Sequence, residues 1–200
     1  MKKVFPFLRV LGSLRPTSIF FPTTAQFLPD DMVTLYAEIS KQNLEDYLLN
    51  IVQKDFDQIL NISPLPDGGP LALFVRIPSV PKKIPLASVS AGAARYLNIL
   101  MALIVTEKGV VLIDEIENGL YWRKMPNVWE RMRELCKERD VQLFCVTHSD
   151  ECLKAAARIA EQYPDDFSII RTVKTDKGTE VRQFDGKIFT DAMQEDVEIR

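Results

Sequence analysis

Two short apolar runs, each stopping abruptly at polar side chains, constrain this chain more than any other feature. Val110-Val111-Leu112-Ile113 runs into Asp114 and Glu115, and Val141 to Val146, through Leu143 and Phe144, runs into Thr147, His148 and Ser149. Apolar residues without alternation are the pattern of a strand covered on both faces, and such strands belong to parallel sheets. Between them, Trp122 to Arg139 reads as a helix with Trp129, Met132 and Leu135 facing inward. The strand tips at Asp114 and His148 are 34 residues apart, the length of one right-handed βαβ unit, which sets its strands side by side. A further helix over Asp150 to Gln162 continues the winding. The expected fold class is α/β, a parallel sheet flanked by helices.

The remaining elements follow from periodicity and punctuation. Ala91 to Thr106 is a nearly uninterrupted helix former with Tyr96, Leu97, Leu100, Leu103 and Ile104 on adjoining faces, so a buried helix is expected. Apolar residues from Met32 to Leu60 recur at three and four, which predicts one or two amphipathic helices. Asn61 to Gly69 breaks that pattern, Leu71 to Ile77 reads as a strand, and Pro78, Pro81 and Pro85 predict a stiff, extended linker. The first 30 residues are basic, with one strand expected at Ser18 to Pro22 and a segment otherwise detached from its context. At the other end, Ser168 to Thr175 and Thr179 to Phe184 around Asp176-Lys177-Gly178 predict a hairpin.

Composition narrows the function classes. Twenty-five basic against 28 acidic residues give a formal charge of -3 and a pI near 5.3, no global footprint for nucleic acid or anionic lipid. Three cysteines without a C-x-x-C spacing indicate neither a disulfide framework nor structural zinc, and place the chain in a reducing cytoplasm. The start Met1-Lys2-Lys3-Val4-Phe5 resembles a secretory leader, but Pro6 and Arg9 interrupt its apolar run, so no signal peptide is expected. No apolar run approaches the roughly 20 residues of a membrane span.

Three short elements can carry chemistry. Asp114 and Glu115 stand at the C-terminal end of a covered strand, where α/β sheets bind ligands. There one carboxylate can hold Mg²⁺ through water and the next can deprotonate an attacking water, although an acidic pair can also simply end a strand. His148, the only histidine, ends the second strand, where a neutral imidazole can contact a γ-phosphate or stand as a helix-cap neighbour. Ser90-Ala91-Gly92-Ala93-Ala94-Arg95 precedes the buried helix, an anion site or an ordinary serine N-cap. A glycine-rich phosphate loop of the form G-x-x-x-x-G-K-[ST] is absent from the 200 residues, and no clear Q-loop is present.

In this order the elements resemble the C-terminal half of an ABC-like AAA ATPase head, specifically the OLD-like group. On that resemblance Ser90 to Arg95 is similar to the signature motif, Val110 to Glu115 to Walker B, Glu117-Asn118-Gly119-Leu120 to the D-loop region, and Val146 to Ser149 to the His switch. Where the family writes a fuller glycine-rich signature, this chain has Ala91, Ala93 and Ala94. The resemblance implies a partial P-loop NTPase sheet, with ATP and Mg²⁺ as cofactors. It implies Asp114 on the metal, Glu115 and His148 as catalytic residues, and Ser90, Gly92 and Arg95 in nucleotide binding. It divides the chain into an N-terminal segment with a helical insertion, residues 1–85, and a signature, Walker B and His-switch half, residues 86–200. ATP-dependent pairing with a second copy or a partner head is expected, with nucleic acid in the wider complex and no membrane. The missing N-terminal half of the head predicts an exposed sheet edge and apolar patches.

The alternative is a degenerate, non-catalytic head that binds a partner through Tyr121, Trp122 and the helix beginning near Met125. A nuclease of the OLD type is not expected, because only a helix and a hairpin are read after His148. Asp165-Asp166 and the terminal Glu195, Asp196 and Glu198 read as solvated faces.

Overall fold

The computed structural model describes residues 18–22, 29–176 and 178–194. The leader-like start and the terminal carboxylates Glu195, Asp196 and Glu198 lie outside them. The chain runs β1 (Ser18–Phe21), α1 (Pro29–Lys41), α2 (Glu45–Gln53), β2 (Asn61–Pro66), β3 (Leu71–Arg76), β4 (Ile84–Pro85), α3 (Leu86–Val89) and α4 (Ala91–Val105). It continues with β5 (Val110–Ile113), α5 (Met125–Arg139), β6 (Gln142–Cys145), α6 (Asp150–Ala160), β7 (Ser168–Thr175), β8 (Gly178–Asp185) and α7 (Gly186–Gln194).

The expected βαβ unit is present. β5 and β6 pair in parallel with Val110 opposite Gln142 and Ile113 opposite Cys145. The segment read as detached is not: β1 pairs in parallel with the other side of β5, giving the order β1-β5-β6. Its apolar Ile19 and Phe21 need the same burial as Val111 and Ile113, and all four lie on the face that packs into the core. That core is built around α4, whose residues from Tyr96 to Ile104 are all buried. It runs without a break from Ile19 to Ala155, including Met32, Leu35, Tyr36 and Ile39 of α1.

The expectation that β5 and β6 are covered on both faces is corrected. Phe20, Leu112 and Phe144 sit in one cross-strand row and are 45%, 36% and 41% exposed. Among the described residues no element covers that face, which is the apolar patch expected of a partial sheet.

Further elements differ from the sequence reading. Asn61–Pro66, read as a break, is a strand of an antiparallel sheet ordered β2-β3-β4. Its turn, Asp67-Gly68-Gly69-Pro70, takes positive φ at both glycines and closes through the Asp67 N–H to the Pro70 carbonyl at 2.8 Å. After the expected β7-β8 hairpin, α7 folds back and buries Phe189 against Ala156, Ala157 and Ala160 of α6.

Asp166 is not a solvated face. Its carboxylate binds Arg133 Nε at 2.7 Å and Lys137 Nζ at 2.6 Å, with only 12% of the side chain exposed. It therefore pins the turn before β7 to α5. Lys137 and Arg133 hold the Asp166 carboxyl below its ordinary value. A lowered folded value contributes stability above the unfolded value near 3.9, lost as pH falls through the folded one. Asp166→Asn should cost about 1 kcal/mol at pH 7. Denaturant midpoints should show that difference shrinking below about pH 4 as the wild type protonates.

Candidate functional site

The C-terminal ends of β5 and β6 meet the N-terminal end of α4, and the three elements singled out in the sequence converge there. The ladder continues past the strand ends: the Asp114 N–H donates to the Phe21 carbonyl at 2.8 Å, and the Ile116 N–H to the Val146 carbonyl at 3.1 Å. Between these bonds the chain turns sharply. Glu115 takes the left-handed conformation with φ +46, unusual for a residue other than glycine and costing of order 1 kcal/mol.

Arg95 holds that turn. A single terminal nitrogen of its guanidinium donates to the Asp114 carbonyl at 3.0 Å and to the Glu115 carbonyl at 2.8 Å. Burial pulls the guanidinium below its ordinary value, and the nearby carboxylates of Glu115, Glu117 and Asp114 pull it back. The Glu115 carboxylate accepts a hydrogen bond from the Asn118 amide, whose own N–H donates to the Glu115 carbonyl at 3.0 Å.

His148 is tied to the same turn from the other strand. Its backbone N–H donates to Glu117 Oε1 at 3.1 Å, and the residue is exposed. Glu117 Oε2 is buried without a hydrogen-bond partner. The sequence reading placed Glu117 only in a motif region and gave it no contact. The available signal was a third acid two residues beyond Glu115. Ser149 caps α6 by accepting from the Cys152 N–H at 3.2 Å, which begins the helix directly after His148.

Ser90 is exposed at the N-cap of α4 and accepts from the Ala93 N–H at 2.9 Å, the ordinary capping use of serine. Gly92, the second residue of α4, packs against the acidic turn. A Cβ there would stand 2.3 Å from the Gly119 carbonyl oxygen, inside van der Waals contact with backbone that cannot rotate away. Gly92→Ala should therefore lower unfolding stability by about 1–3 kcal/mol, read as a shift in urea midpoint at unchanged slope.

The arrangement thus gathers Asp114, Glu115 and His148 at one sheet end, with Arg95 and Glu117 as the bonds that fix their backbone. Beside it, a cleft of about 440 Å³ is lined by Glu117, Leu120, Trp122, Met125, Ser149 and Cys152. Among the described residues no group of three or more His, Cys, Asp or Glu could cage a metal ion. Nor, among them, is any helix long and apolar enough to cross a membrane.

Residues 23–154 match a protein family described as "AAA domain, putative AbiEii toxin, Type IV TA system". An ATP/GTP phosphatase of Helicobacter pylori (strain ATCC 700392 / 26695) is 22% identical over 165 residues, 81% of this chain. This chain spans 42% of that relative's length. Two solved structures superpose with TM-scores of 0.50. One, described as "Structural biochemistry of ATP-driven dimerization and DNA stimulated activation of SMC ATPases", is 13% identical and covers 82% of this chain and 99% of its own. The other, the SmcHead bound to the C-winged helix domain of ScpA, is 15% identical and covers 80% of this chain and 52% of its own. At these identities the likeness is one of fold: a parallel sheet flanked by helices, of the ATPase-head P-loop type.

Proposed function

The chain belongs to the AAA-domain family that it matches over residues 23–154, and from that premise we propose that it is an ABC-like ATPase head carrying the hydrolytic half of an ATP site. One observation carries the reading: Arg95 and Glu117 lock the acidic turn of one strand and the His148 backbone of its neighbour into a single constellation.

In that site Glu115 takes the proton of the attacking water, with its carboxylate oriented by Asn118. His148, exposed beside the turn, hydrogen-bonds the γ-phosphate through its ring. Asp114, at the C-terminal end of β5, would hold the metal. One carboxylate suits Mg²⁺, which keeps most of its waters and takes further ligands from phosphates. Bound there, Mg²⁺ supplies neutralisation of charge on the phosphate oxygens. Ser90 and Gly92, at the first turn of α4, reach the nucleotide of a second head, and Arg95 supports that end by fixing the turn.

The division at residue 85 then separates the insertion-bearing segment from the signature, Walker B and His-switch half. The working unit is a pair of heads, two copies of this chain or one with a partner ATPase. Nucleic acid in the wider complex, an OLD-like affiliation and a cytoplasmic setting, which suits three free thiols, belong to the same proposal.

Calorimetry with ATP and Mg²⁺ tests the reading. Residues 1–200 alone should bind weakly, with Kd at or above about 1 mM, because no phosphate loop is present. Supplying that loop from a second polypeptide should tighten binding, and Asp114→Ala should remove the gain. Binding indifferent to both Asp114→Ala and His148→Ala would sink the proposal.

A second reading, a non-catalytic head that recruits a partner, is favoured by Tyr121 and Trp122, which are 56% and 57% exposed with ring centroids 6.1 Å apart. Trp122→Ala in the assembled protein distinguishes the two: partner binding lost with turnover retained makes this face a docking surface alongside hydrolysis, while partner binding with no turnover in the wild type leaves only docking.

A further inference from the structure

β8 is the outer strand of a two-stranded sheet: among the described residues it pairs only with β7. The register is continuous from Ser168 opposite Asp185 to Thr175 opposite Gly178, without a bulge, and β8 contains no proline. Edge strands are ordinarily kept from further pairing by bulges, prolines or brevity. β8 uses none of these devices, and its eight residues exceed the usual five or six. Every residue of it except Phe184 is exposed. Half the backbone N–H and C=O groups of an outer strand face away from its one neighbour, so β8 presents a row of donors and acceptors along its length. A two-stranded sheet is also the least self-supporting kind, and a further strand is what stabilises it.

The side chains of β8 select the neighbour. Glu180 and Arg182 are exposed on one face, 3.3 Å apart, and Val181 between them is 65% exposed on the other. Set antiparallel against a copy of itself, with Val181 opposite the partner's Val181, the strand brings Glu180 opposite the partner's Arg182 and Arg182 opposite the partner's Glu180. Opposite charges directly across a strand pair stabilise it, and like charges do the reverse. A shift of one residue sets Glu180 opposite the partner's Val181 or the partner's Gln183. A shift of two sets like charges against each other, glutamate on glutamate or arginine on arginine. Within the hairpin Arg171 stands opposite Arg182, so the partner's Glu180 adds an acid to a row that already places two cations side by side. A strand of unrelated sequence meets this pattern only by coincidence. A second copy meets it by symmetry, through an isologous two-fold contact.

We propose that β8 is a self-association edge: two copies of this chain pair antiparallel through β8, with Val181 on the two-fold axis, and join their hairpins into one four-stranded sheet. The contact involves none of Asp114, Glu115 and His148, requires no nucleotide and does not rest on the ATPase reading. A single strand edge buries less than about 1,200 Å² in total, the size of weak and transient interfaces. The association therefore belongs in the range of about 10–100 µM.

Sedimentation equilibrium of the full 200-residue chain without nucleotide, from about 1 µM to 1 mM, tests the proposal. The expected result is a monomer–dimer equilibrium. Glu180→Arg and Arg182→Glu should each weaken it about ten-fold or more, because each turns both cross-strand pairs into repulsions. The double variant Glu180→Arg/Arg182→Glu restores the opposition of charges and should return the dissociation constant to within about three-fold of the wild type. Both positions are exposed, so thermal midpoints should stay unchanged. Val181→Cys reads the register directly. Directly opposed residues of an antiparallel pair have Cα atoms about 4.5–5.5 Å apart, within disulfide reach. Air oxidation should cross-link Val181→Cys into a dimer and leave Thr179→Cys monomeric, the free thiols of Cys136, Cys145 and Cys152 being common to both.

A chain that stays monomeric over the whole range overturns the proposal. So does a dimer indifferent to both charge reversals, because the copies then meet through another face. Cross-linking of Thr179→Cys as readily as of Val181→Cys overturns the register and the charge pairing with it.

Discussion

If the proposed function holds, replacing Glu115 by Gln should lower ATP turnover by the assembled head about a hundred-fold or more and accumulate its ATP-bound pair. The substitution is nearly isosteric, so its effect isolates proton transfer. A carboxamide oxygen can still accept from the Asn118 amide, and the backbone bonds that Arg95 donates to residues 114 and 115 are untouched. What is lost under the proposed function is the ability to take a proton from water. The denaturation midpoint should therefore match that of the wild type, while turnover collapses. A companion variant separates strain from chemistry. Glu115→Gly relieves the φ of +46 and should raise stability by about 0.5–1 kcal/mol, while being equally inactive. A stabler but dead variant is the signature of a residue held in an unfavourable conformation for its chemistry. Unchanged turnover in Glu115→Gln places the base elsewhere.

The parts of this molecule that were legible in the sequence are those where one physical requirement acts over consecutive residues. Val110 to Ile113 and Val141 to Val146 read as strands because short apolar runs between turn residues that stop at acids or histidine suit a sheet, and their parallel pairing follows from the helix between them; that only one face of β5 is buried was not legible. The buried α4 was equally plain. β2 was not, because Pro64 and Pro66 argue against a strand, and only its place in a small peripheral sheet tolerates them. The Asp67-Gly68-Gly69-Pro70 turn was the available hint. Nor was α7, whose burial rests largely on Phe189 meeting three alanines of α6. In the site, Asp114, Glu115 and His148 were visible because they follow the strands. The bonds that hold them were not. Arg95 and Glu117 both reach backbone atoms, 19 to 31 residues away, and backbone carbonyls and amides carry no residue identity for a sequence to display.

Arg95 accordingly carries the second large effect. Arg95→Ala should lower unfolding stability by about 2–3 kcal/mol, less than two fully charged hydrogen bonds because the half-buried guanidinium also sheds its desolvation cost. Its Nε, buried without a partner, sharpens the point: the residue is kept in an imperfect environment for the sake of two carbonyls. Arg95→Lys offers a single ammonium on a flexible stem and should recover about half of the loss. The deficit should stay level between about pH 5 and 9, since the guanidinium does not release its proton in that range; this sets it apart from the acid-sensitive contribution of Asp166. In the assembled head, freeing the carbonyls of residues 114 and 115 lets Glu115 leave the left-handed region. The rate constant for hydrolysis should then fall by more than the affinity for ATP, with Arg95→Lys restoring both in part. Arg95 is a positioning residue on this account. Equal losses of rate and affinity, with no partial rescue by lysine, would instead make the guanidinium a direct nucleotide contact.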